Sequence, residues 1–161
     1  MLRETIERYP SSVAAQQNLA HLLGERSESL PDSIAAMDEV VRLNGSDLKR
    51  LAAALAARGV LHARAGNAER AVADGNDAIE RDPSPENRCQ LAAIHALLAT
   101  EGTEVATRFD SALRQLARAA WDDPALVRRR LEQDPDLASL REVPEIEALS
   151  KLLVRLGSLA E

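Results

Sequence analysis

A chain of 161 residues can bury one substantial core, and 29% charged with 45% hydrophobic residues is a normal balance for a globular protein. Its net charge of −6 argues against a general nucleic-acid or anionic-membrane binder, and no apolar run approaches the ~20 residues of a membrane span. The single cysteine, Cys89, excludes an internal disulfide framework and suits a reducing, cytoplasmic setting, and the charged start Met1 to Arg8 does not read as a signal peptide.

Aromatics are only 2% of the chain (Tyr9, Phe109 and Trp121), so the core has to be built from Leu, Ile, Val and Ala. Ala and Leu are strong helix formers, which favours close-packed helices over sheet. Leu2, Ile6 and Tyr9 fall on one face of a short first helix that Pro10 ends. Ser12 is placed to cap a helix from Val13 to about Leu23, and the polar stretch Gly24 to Ser29 reads as a long turn. Pro31, tolerated in a first turn, opens a helix through Leu43 whose stripe is Ile34, Met37, Val40 and Val41, with Asn44-Gly45 closing it. A longer helix is expected from about Ser46 to Ala65, then a Gly66 turn and a partner helix from Ala68 to Arg81. Asp82-Pro83-Ser84-Pro85 is a boundary, because a residue before proline disfavours helix. The next pair runs from Pro85 to about Leu98 and from Glu104 to Trp121. Pro124 to Gln133 then makes a short helix, Asp134 to Arg141 a compact turn, and Pro144 opens a last helix with Ile146, Leu149, Leu152, Leu153 and Leu156 as its stripe.

The helix stops recur. Pro10, Gly45, Pro83 and Pro124 are separated by 35, 38 and 41 residues, and the offset of 41 also maps Ala71 onto Ala112 and Ala78 onto Ala119. The extra residues of the later copy lie between Gly102 and Phe109, lengthening that helix at its start. The unit from Leu55, Gly59 and His62 through Gly66, Ala71 and Ala78 to Pro83 resembles a tetratricopeptide repeat, the roughly 34-residue helix–turn–helix module that stacks into solenoids. Its packing residues carry over as Gly59, Gly66, Ala71, Ala78 and Pro83, then as Ala93, Phe109, Ala112, Ala119 and Pro124. The first copy matches only at Leu19, Ala20, Ile34 and Val40, and the family's early aromatic is replaced by Gln16, Leu55 and Cys89. The resemblance implies an all-α, right-handed superhelical solenoid with C-terminal capping helices, as a single domain over 1–161. Its parts would be a partial repeat helix (1–10), a degenerate repeat (13–45), a repeat (48–83), a repeat with an insertion (85–124) and capping helices (125–161). The segment from Asp134 to Leu149 looks like the tail that closes bacterial arrays of this kind, found as extensions of serine/threonine kinases and other multidomain signalling proteins.

Family binding chemistry lies on the concave face, which the resemblance maps to Gln17, Asn18 and His21, then Ala53, Ala57 and Val60, then Gln90, Leu91 and Ile94. The basic clamp of chaperone-binding members is absent, because the central repeat offers Ala and Val there. The implied function is non-catalytic protein–protein interaction, a peptide or amphipathic helix laid into an apolar groove. The alternative is a structural or oligomerising appendage of a larger protein, its groove filled by its own last helix or by a second protomer, as in a homodimer.

Nothing in the sequence converges on catalysis or a cofactor. His21, His62 and His95 fall on three helices, Cys89 sits on a packing face, and the seven glycines are scattered turn or packing residues with no phosphate loop among them. Asp82 and Asp123 precede prolines as turn residues, and Arg128-Arg129-Arg130, followed by Glu132, Asp134 and Asp136, reads as a solvated helix face.

Overall fold

A computed structural model of the chain describes residues 12–100 and 104–158, and, of residues 156–158, the backbone only. The described residues are all-α, without a strand. The helix expected over Leu2 to Tyr9, its Pro10 stop, Gly102 and the Leu156 side chain lie outside what is described. The chain divides into two compact units, one ending at Asp82 and one beginning at Pro83, at the Asp-Pro boundary.

The first unit contains α1 (Val13–Gly24), a 3₁₀ turn (Ser27–Ser29), α2 (Leu30–Leu43), α3 (Leu48–Arg64) and α4 (Ala68–Arg81). Short polar side chains set the helix starts. The Ser12 hydroxyl accepts the Ala15 N–H at 3.4 Å, and Asp47 accepts the Arg50 N–H at 3.1 Å, so α3 begins at Leu48 and not at Ser46. Gly66 makes the turn into α4 with φ 76°, a left-handed conformation that costs glycine no steric penalty. Gly24 belongs to the end of α1 instead of the following turn, and a side chain there would meet Leu61 Cδ2 at 2.9 Å.

Neighbouring helices pack in order, α1 on α2, α2 on α3 and α3 on α4. The interior of α3 is shared between two clusters. Ala54 and Leu61 join Ala20, Met37 and Val40, while Ala52, Leu55 and Ala56 meet Ala78 of α4. Two polar bonds tie the helices further. The buried Ser33 hydroxyl donates to the Ala20 carbonyl at 2.6 Å, and Arg64 Nη1 donates to the Gly24 carbonyl at 3.0 Å.

The second unit contains α5 (Pro85–Leu98), α6 (Val105–Asp122), α7 (Pro124–Gln133), a 3₁₀ segment (Pro135–Leu140) and α8 (Pro144–Ser158). Asp123 ends α6 and caps α7, accepting the Leu126 N–H at 2.8 Å. Helix α6 has 18 residues against 14 in α4, and the four extra residues all precede Ala112. That is one additional turn at the start of the helix, where the sequence places the insertion.

Helix α5 packs against α6, α7 and the 3₁₀ segment, and α8 packs against α6 and α7. Leu91, Ile94, Leu116, Leu137 and Leu140 are all essentially inaccessible, and each such side chain contributes roughly 1.5–3 kcal/mol of burial. In the last helix Ile146 and Leu153 are buried and Leu149 half-buried, whereas Leu152 faces solvent, a correction to the stripe read from the sequence. The stripe expected there is wider than the face that α6 and α7 cover.

Candidate functional site

Three exposed polar residues lie on two adjacent turns of α1, Gln17 and Asn18 on one and His21 on the next. His21 Nε2 lies 3.9 Å from a Glu25 carboxylate oxygen, one turn on. On α3, Ala53 is exposed and Ala57 is half-buried against the cluster that also holds Ala20 of α1. Val60, expected on the same face, is buried at 6% exposure. A shallow cleft of about 280 Å³ runs between α1 and α2, floored by Leu19, Leu23 and Ala36 and edged by Asp32 and Glu39.

On α3, Arg58 binds two helices at once. Its Nε and Nη2 donate to the two carboxylate oxygens of Asp74 on α4, each at 2.7 Å. Its Nη1 donates to Asp38 on α2 at 2.8 Å. Fork-to-fork pairing of this kind is among the stronger charged hydrogen bonds, and it raises the guanidinium pKa further above its usual range. His62, one turn along α3, is buried with no hydrogen-bond partner at Nδ1, and burial pushes its pKa down. The sequence reading assigned no role to Arg58.

In the second unit Gln90 is half-buried, but Leu91 and Ile94 are 2% and 0% exposed. Both sit in a helix that three elements of its own unit cover, so they offer no surface to a ligand. Gln90 instead lines a larger cleft of about 450 Å³, together with Glu86 of α5, Leu126, Arg129, Arg130 and Gln133 of α7, and Asp134 and Pro135. Arg130 is engaged there by Asp134 at 2.9 Å. The arginine run read as a solvated face therefore has two members lining a cavity.

Burial raises the Cys89 thiol pKa to about 11, which leaves it protonated and unreactive near neutral pH. Burial, with Arg108 and Arg114 nearby, lowers His95 to about 4, and its Nδ1 is also buried without a partner. His62 and His95 belong to different units. Among the described residues no group of three or more His, Cys, Asp or Glu is placed to hold a metal ion, and no helix is long and apolar enough to cross a membrane.

Comparison with protein-family models, curated proteins and solved structures finds no match to this chain.

Proposed function

We propose that the chain is a non-catalytic protein–protein interaction module built from tetratricopeptide-like helical hairpins, with its binding face on α1 and α3. One observation carries this reading. Residues at equivalent places in two hairpins are small and each is buried within its own unit: Ala71 and Ala112, and Ala78 and Ala119, are all at 0%, and Gly59 and Ala93 are likewise buried. Small residues at such positions let helix backbones approach closely, so each hairpin works as a stackable rigid unit. The proposed face carries the exposed carboxamides of Gln17 and Asn18, with His21 and the small Ala53.

On this reading Gln17, Asn18 and His21 orient a peptide or helix of the partner, and Ala53 and Ala57 let it lie close. Selection of a random peptide library on the immobilised chain tests it. Enriched peptides are expected to lose at least tenfold in affinity for Ala53→Arg while its melting temperature stays within about 2 °C of the parent. Ala53 is the better probe, since a charge at half-buried Ala57 would also disturb the cluster it packs on. Peptides that bind the parent and Ala53→Arg equally would refute this placement of the site.

A further inference from the structure

The cleft of the second unit is lined by two unlike charges that are not paired. Glu86 lies in the first turn of α5 and Arg129 in the middle of α7. Both line the same cavity of about 450 Å³. Neither carries a hydrogen bond or ion pair to another described residue, whereas Arg130 beside them is already taken by Asp134. The dipole of α5 favours the anion in its first turn. Both side chains are exposed and therefore open to a ligand.

We propose that this cleft binds an extended peptide segment carrying an acidic and a basic side chain close together. Arg129 would receive the acidic side chain and Glu86 the basic one. The carboxamides of Gln90 and Gln133 are donor and acceptor at once, as the alternating N–H and C=O of a peptide backbone require. Leu126 and Pro135 give the apolar contact. A phosphate-rich ligand fits poorly, because Glu86 repels it and only Arg129 is unengaged. The cavity is also several times the volume a lone small zwitterion such as glycine would fill.

The inference rests on the interaction-module reading but uses a different surface, so the two can fail separately. The probe is a blocked pentapeptide, acetyl-Gly-Glu-Gly-Lys-Gly-amide, titrated into the ¹⁵N-labelled full chain at low salt. Saturable shifts are expected at the amides of Gln90, Arg129 and Gln133. Glu86→Gln and Arg129→Gln should each weaken binding about three- to tenfold, with unchanged helicity, and raised salt should weaken it further. The same peptide with Gln in place of both charged residues should bind no better than the weaker variant. Equal binding of that neutral peptide, shifts confined to α1 and α3, or binding of free glycine in preference to the blocked peptide would each overturn the proposal. Shifts confined to α1 and α3 would leave the first binding face standing.

Discussion

Arg58 on α3 grips both carboxylate oxygens of Asp74 on α4 while its third donor nitrogen holds Asp38 on α2. The Arg58 and Asp74 side chains are only 20% and 12% exposed, but that of Asp38 is 57% exposed. The two carboxylates should therefore matter unequally. Asp74→Ala leaves a mostly buried cation with one partner at its wet edge, and should cost about 2–4 kcal/mol in urea unfolding. Asp38→Ala should cost less than about 1 kcal/mol. Arg58→Lys, which cannot bridge in the same way, should resemble the Asp74 variant. Equal losses for the two aspartates would show that the network is not organised around the buried pair.

Buried His62 and half-buried His95 should make stability fall in acid. His95 has a folded pKa of about 4 against an ordinary value of 6.5, and His62 is shifted in the same direction. Between these values the unfolded chain binds more protons than the folded one. The contribution of His95 is thus fully present above pH 6.5, declines as pH falls, and is gone below about 4. Unfolding midpoints should drop from pH 7 to pH 5, and His95→Gln should flatten that slope. An unchanged slope in the variant would exclude His95 as a source of the acid sensitivity.

Cys89 should be silent toward a disulfide thiol reagent near pH 8 in the native chain and should react stoichiometrically in denaturant. Its burial and raised pKa, about 11, both withhold the thiolate. Rapid native labelling would mean that α5 opens readily.

The hairpin interfaces should reject bulk at matching positions. Ala78→Leu and Ala119→Leu each force a larger side chain into a site with no exposure, and each should cost about 1–3 kcal/mol. Exposed Ala73 of α4 serves as a control, where the same change should stay within about 0.5 kcal/mol. Tolerance of Leu at one Ala site and not at the other would break their equivalence.

Much of the fold was legible because its punctuation is local. The helices at 68–81, 85–98 and 124–133 run between Gly, Asp and Pro residues that act on their own neighbours, and they fall where those residues put them. Residues that depend on distant partners were not legible. Arg58 stands in an Ala-rich helix like any solvated cation, and its partners lie 20 residues before it and 16 after. Helical period placed Leu91 and Ile94 on a face but could not say that a 3₁₀ segment from Pro135 to Leu140 would pack on that helix. For the same reason Arg129 and Arg130 read as a solvated face, since the cleft they line needs Glu86 and Gln90 from another helix.

The central claim is that α1 and α3 present a peptide-binding face. Amide shifts of the ¹⁵N-labelled chain, titrated with a library-selected peptide, test it most directly. Saturable shifts are predicted at Gln17, Asn18, His21, Ala53 and Ala57, all abolished by Ala53→Arg. Saturable binding that leaves those five amides unmoved would contradict it.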